Sequence, residues 1–186
     1  MLKGSKVLSP VIRRYSDKMS NPVLEVGPFF TPLIKPGHED KDIFYLDNDR
    51  HVVKYLRENF PTADVVHFDL NLLAKKGRCK RFQRRISKLT ENRKFGSVIA
   101  SHLLNYIDYR ALFSTSQELI EPEGLFFINN VIDYGIPPLF HPKRPKSDGE
   151  IKGELEGCGF KILEEMHVPG KYPKTQNERL VLVAER

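Results

Sequence analysis

The feature that most constrains this chain is a recurrence of short apolar runs rich in β-branched and aromatic residues. "PVLEV" (22–26), "DIFYL" (42–46), "DVVHF" (64–68), "SVIAS" (97–101) and "GLFFINNVI" (124–132) come first, then "FKILEEMHV" (160–168) and "RLVLVAE" (179–185). The first five are continuous in apolar character rather than alternating, the pattern of strands whose sheet is covered on both faces. Helical spacing fills the intervals between them. Val52, Val53, Leu56 and Phe60 share one face before Pro61 ends it, and Phe82, Ile86 and Leu89 do the same further on. Leu112, Leu119 and Ile120 precede "EPEG" in a third such segment. Strands alternating with helices imply a mostly parallel sheet joined by right-handed crossovers.

That rhythm breaks after residue 159. Only "PGKYPKTQNE" separates the last two runs, too little for a parallel crossover of roughly a dozen residues with its helix. They should pair as an antiparallel hairpin. The expectation is an α/β, Rossmann-like three-layer sandwich in one domain, residues 1–186: five β/α units, a helix in "GEIKGELEGCG" (149–159), and the hairpin. The N-terminal segment 1–20 and the Pro-rich loop 134–149 are the candidates for covering a site.

At 40% hydrophobic and 29% charged residues, the 186-residue chain can bury a core of its own. No apolar run approaches the roughly 18 residues of a membrane span, and "MLKGSKVLSPVIRRYSDKM" lacks a signal peptide's apolar core. Cys79 and Cys158 offer neither a disulfide framework nor a metal cluster. A cytoplasmic protein without metal or membrane attachment is expected. The net charge of +6 is local: Lys75, Lys76, Arg78, Lys80, Arg81, Arg84, Arg85 and Lys88 form a run without an acid inside it. Those eight charges exceed the whole excess, so the rest of the chain is net negative.

Ligands of open α/β sheets bind beyond the carboxyl ends of the strands. The first strand ends at Glu25-Val26-Gly27-Pro28, and Gly27 allows close backbone approach or a conformation closed to other residues. The second ends at Leu46-Asp47, 20 residues beyond Gly27, where an acid suits ribose hydroxyls. Asp69 follows the third strand, and Ser101-His102 close the fourth. A dinucleotide needs its pyrophosphate at an open glycine turn, yet Phe29 and Thr31 occupy the later glycine positions. A ligand with ribose and adenine but no phosphate makes no such demand.

"VLEVGPFFTPL", "IFYLDND", "VVHFDL", "FGSVIASHLLNYID" and "EPEGLFFIN", in this order and spacing, resemble the class I S-adenosylmethionine-dependent methyltransferases over about residues 21–186. Within them, "LEVGPFFTPL" with "IASHLLNYI" is similar to small methyltransferase-domain proteins whose first motif reads Glu-Ile/Val-Gly-Pro. The resemblance implies strand order 3-2-1-4-5-7-6 and S-adenosylmethionine as cofactor, with S-adenosylhomocysteine as product. It places Glu25, Gly27, Pro28 and Phe29 at the first motif beside the cofactor's amino-acid part. Asp47 falls at the ribose acid with Leu46 and Asn48 flanking the adenosine, and Asp69 with Leu70 at the adenine amine. Ser101 and His102 fall at the methyl-transfer region, His102 being the candidate general base. Two positions depart from the pattern: Phe29 replaces the second motif glycine, and Tyr106 stands where relatives often carry histidine.

The fourth strand runs into "SHLLNY", neither an Asn-Pro-Pro-Tyr nor a Pro-Cys sequence, so methylation of nucleobase amines or by a cysteine adduct loses support. Direct transfer to a small-molecule acceptor is the main expectation. His141, in the Pro-rich loop, is a candidate acceptor contact, and His67 reads as structural. The basic run 75–88 offers an alternative, a phosphate-tracking face for nucleic acid, against the plain reading of a solvated helix face. A non-catalytic Rossmann-like binding module is the rival from another class.

Overall fold

The computed structural model describes residues 3–37, 42–132, 143–168 and 178–186. Its centre is one seven-stranded sheet of order β3-β2-β1-β4-β5-β7-β6. The strands are β1 (Val23–Val26), β2 (Ile43–Asp47), β3 (Asp64–His67), β4 (Phe95–Ser101), β5 (Ile120–Ile132), β6 (Lys161–Val168) and β7 (Glu178–Glu185). The first five run parallel; β7 lies antiparallel to both β5 and β6, with Ile128 opposite Leu182 and Met166 opposite Val181. The terminal hairpin and the order implied by the family resemblance are both present.

Among the described residues, five α-helices cover the sheet: α1 (Lys3–Arg14), α2 (Arg50–Asn59), α3 (Arg78–Leu89), α4 (Tyr109–Leu119) and α5 (Asp148–Gly157). Successive strand residues point to opposite faces, which divides the core in two. Leu24, Val26, Phe44 and Leu46 face Phe82 and Ile86 of α3, Phe113 of α4 and Leu155 of α5. Val23, Ile43, Tyr45 and Ile99 face Leu8, Val11 and Ile12 of α1 and Val52 and Leu56 of α2. Both layers being filled is why the strands are apolar without alternation. Local signals set the helix starts: the Asp49 side chain accepts the His51 N–H, and the Ser147 hydroxyl accepts the Glu150 N–H at 3.1 Å.

The structure departs from the expected five β/α units at the first. Among the described residues, no helix follows β1; 27–37 form turns and bends. Pro28, Pro32 and Pro36 recur at helical spacing, and each removes a backbone donor and disfavours helix in the residue before it. The sheet face left open is filled by α1 and by Ile34, whose carbonyl accepts the Tyr45 hydroxyl. Residues 1–20 are expected as a helical segment that could cover the site; of these, Lys3–Arg14 form α1, with Leu8, Val11 and Ile12 buried against the sheet. Of the 134–149 loop, 134–142 with His141 lie outside the described residues. Leu89, assigned to the apolar side of α3, is 39% exposed.

Candidate functional site

The parallel strands deliver their carboxyl ends to one edge, and there the chain encloses a cavity of about 350 Å³. That volume lies within the range of small-ligand sites. Gly27 lies at the end of β1, Leu46, Asp47 and Asn48 at the end of β2, and Phe68, Asp69, Leu70 and Asn71 beyond β3. Leu103 and Ile107 close the apolar side, while Phe29 and Tyr106 stand at the mouth.

Each wall has a local cause. Gly27 takes φ +67°, and its N–H donates to the Leu46 carbonyl at 2.8 Å. A Cβ added there would lie 3.3 Å from Leu103 Cδ1, so the position needs both glycine's conformation and its size. Asp47 is 6% exposed; its Oδ1 accepts the Asp49 N–H at 2.9 Å and its Oδ2 the Phe29 N–H at 3.3 Å. Burial pushes its carboxyl above the usual range, and those backbone donors pull the other way. The carboxylate retains acceptor capacity toward the cavity, since its two oxygens together offer about four lone-pair sites. Asp69 Oδ1 accepts the Asn71 N–H at 3.0 Å and opens a single 3-10 turn, Leu70–Leu72.

Phe29 does not fill the cavity. It takes φ +54° and remains 45% exposed, its ring packed edge-on against Phe30 at 4.7 Å, which meets Tyr55 at 5.2 Å. Tyr106 is 52% exposed. Two large aromatic surfaces thus flank the opening.

Seven of the expected cofactor positions line the cavity: Gly27, Phe29, Leu46, Asp47, Asn48, Asp69 and Leu70. Glu25 and Pro28 do not. Glu25 points into the protein, where both carboxylate oxygens lie 2.9 Å from the Leu33 N–H and Oε2 lies 3.2 Å from the Ile34 N–H. It pins the helix-free segment after β1, because those donors have no helix to satisfy them. Complete burial pushes its carboxyl up to about 7 against the pull of the two N–H groups. Pro28 is buried, and its carbonyl accepts the Thr31 N–H.

Ser101 and His102 lie along the same edge but outside the cavity lining. His102 takes φ +59°, its N–H donates to the Asn129 carbonyl at 2.7 Å, and its Nε2 is 2.6 Å from Arg179 Nη1. Burial first, and then Arg179, lower its pKa to about 4. A ring that is neutral and already accepting a guanidinium N–H has no lone pair left at Nε2 for an acceptor's proton. The general-base role at that nitrogen therefore has no geometric support. Ser101 Oγ lies 3.4 Å from Asn129 Nδ2.

Sequence reading missed Phe68, Asn71, Leu103 and Ile107 as lining residues. Their signal was positional: Phe68 and Asn71 flank Asp69-Leu70, and Leu103–Ile107 follow the fourth strand directly.

The basic run 75–88 lies on the outer face of α3 and the turn before it. All eight cations are exposed, and none forms an ion pair with another described residue. Among the described residues no helix is long and apolar enough to cross a membrane.

No protein-family model matches the chain, and no curated protein matches it by sequence. Solved structures do match, over nearly its whole length. The N-methyltransferase NodS from Bradyrhizobium japonicum WM9 superposes with TM-score 0.73 at 11% identity, covering 100% of this chain and 97% of that one. An S-adenosylmethionine-dependent methyltransferase from Mesorhizobium loti gives TM-score 0.70 at 16% identity, over 98% and 100%. The glycopeptide N-methyltransferase MtfA complexed with S-adenosylmethionine gives 0.64 at 16%, over 97% and 93%. At such identities the likeness is one of fold.

Proposed function

We propose that this chain, which has the fold of the class I methyltransferases, binds S-adenosylmethionine in the strand-end cavity and transfers its methyl group to a small-molecule acceptor. The carrying observation is the cavity itself: a glycine turn and two acids on successive strand ends face one enclosed space. When bound, the cofactor supplies a methyl group on a sulfonium that leaves as a neutral thioether. The protein's work is then alignment and exclusion of water.

The residues present suit an adenosine ligand without phosphate. Asp47 accepts hydrogen bonds from the ribose hydroxyls, and Asp69 accepts from the adenine amine. Leu46, Phe68, Leu70, Leu103 and Ile107 supply apolar walls for the base, and Gly27 lets the chain approach the amino-acid end. Phe29 and Tyr106 flank the mouth with apolar surface. Glu25 acts one step away, by fixing the turn that carries Gly27 and Phe29. The acceptor approaches from the Ser101–His102 side. NodS is named as an N-methyltransferase and MtfA as a glycopeptide N-methyltransferase, names that support methyl transfer to nitrogen.

The test is a thermal-shift titration with S-adenosylhomocysteine. Saturation at a hundred times Kd adds about 2.7 kcal/mol, or roughly 5–10 °C for a domain of this size. Asp47→Ala should abolish the rise. A wild-type protein indifferent to millimolar ligand would leave a non-catalytic binding module as the better reading. One observation favours a second acceptor class, nucleic acid: the eight exposed cations of 75–88, which form no ion pair among the described residues, begin just past the cavity wall at Asn71.

A further inference from the structure

Where β4, β5 and β7 lie side by side, the site edge holds a cluster that the cofactor reading leaves unused. Arg179 stands near the start of β7, opposite Val131 of β5 and Val168 of β6. Because β7 is antiparallel, this places it at the carboxyl end of β5, on the edge where His102 follows β4. Its Nη1 is 2.6 Å from His102 Nε2. A guanidinium only donates and does not lose its proton in proteins, so the imidazole must accept at Nε2 and carry its own proton on Nδ1. Asn129 Nδ2 lies 3.4 Å from both Ser101 Oγ and His102 Nε2. The cluster therefore presents N–H donors and one positive charge.

Arg179 is half-buried, and no described carboxylate pairs with it. Among the described residues its side chain forms one hydrogen bond, through Nη1, and none through the flat Nε–Nη2 edge. A cation withdrawn from water without a counter-charge is costly; that cost is recovered if a ligand brings the anion. One guanidinium edge matches the two oxygens of a carboxylate, with two parallel N–H···O bonds. The position fits as well. Leu103, next in chain to His102, lines the cofactor cavity, so a group held by Arg179 belongs to whatever lies beside the cofactor.

We propose that Arg179, held in place by His102, binds a carboxylate of the methyl acceptor, so that the substrate class is a carboxylic acid. This rests on the cofactor reading above. His102 is then a positioning residue: its Nε2 fixes the guanidinium, and its backbone is anchored through the bond to the Asn129 carbonyl.

The test uses the full chain loaded with S-adenosylhomocysteine and titrated with matched pairs of probes, benzoate against benzamide and hexanoate against hexanamide. The side-chain 15N resonances of His102 and Arg179 are the readout. Both acids should shift them saturably while the amides do not. Arg179→Gln should weaken the acids at least tenfold, and Arg179→Lys should recover part of the loss. Acids and amides behaving alike, or acids binding Arg179→Gln undiminished, overturns the proposal. The S-adenosylhomocysteine thermal shift, run on the same variants, verifies that each is folded. It also separates the two readings. A retained shift with no preference for acids sinks the carboxylate site alone. No shift in wild type, with acids still bound through Arg179, sinks the methyltransferase reading and leaves an anion site standing.

Discussion

Replacing Glu25 by glutamine isolates the energetics of the turn that carries the cavity wall. The carboxyl is fully buried and accepts the Leu33 and Ile34 N–H groups, and its pKa moves from an ordinary 4.5 to about 7. The folded protein then holds the Glu25 proton more tightly than the unfolded chain does. Stability from this group is greatest below pH 4.5, falls as pH rises toward 7, and levels off above it. The full span corresponds to about 3 kcal/mol at roughly 1.4 kcal/mol per pKa unit. Most of that span, about 2–3 kcal/mol, falls between pH 5 and pH 8 by the same conversion. Glutamine keeps the shape and one acceptor oxygen but cannot ionise. Its unmatched amide lowers stability by a constant amount at every pH. Urea unfolding of both proteins at pH 5, 6, 7 and 8 removes contributions common to the two. The gap between them should narrow or reverse in favour of glutamine as pH rises, by about 2–3 kcal/mol overall. Curves that stay parallel within about 0.5 kcal/mol would refute the assignment of this carboxyl to a dry, proton-retaining environment.

Three further outcomes are expected. Gly27→Ala meets a left-handed φ and a 3.3 Å approach to Leu103, so it should cost about 1–3 kcal/mol in urea unfolding and reduce S-adenosylhomocysteine affinity more than stability alone explains. His102, with its pKa lowered to about 4 by burial and Arg179, should show imidazole carbon resonances that stay constant in an NMR titration from pH 8 to 5.5. Its stabilising contribution is complete above about 6.5 and is lost as pH falls through 4. Neutralising Lys80, Arg81, Arg84 and Arg85 together should shorten retention on heparin while leaving the S-adenosylhomocysteine thermal shift intact; unchanged retention would remove the nucleic-acid reading.

What could be read from sequence depended on whether a signal was local. The seven strands were legible because each is a short apolar run bounded by polar or helical spacing. The reversal at β7 was legible from the ten residues preceding Arg179, too few for a crossover. Gly27, Asp47 and Asp69 were legible as strand-end residues, and all three line one cavity. The missing helix after β1 was masked by the habit of the fold, although Pro28, Pro32 and Pro36 carried the warning. The inward turn of Glu25 was not legible: whether a strand-end acid faces a ligand or its own backbone depends on where Leu33 and Ile34 fold back. Arg179 was missed for a similar reason. It lies 77 residues from His102, and only the antiparallel placement of β7 brings the two together.

The cavity draws its walls from residues 27, 47, 69 and 103, which share no stretch of chain and meet only through lateral strand pairing. The complete lining therefore needs β1 to β4 in place together. A ligand bound there consequently acts on the whole folding equilibrium rather than on one loop. In a cell, the supply of that ligand would set how much of the protein survives proteolysis of its unfolded form. Abundance and occupancy would rise and fall together.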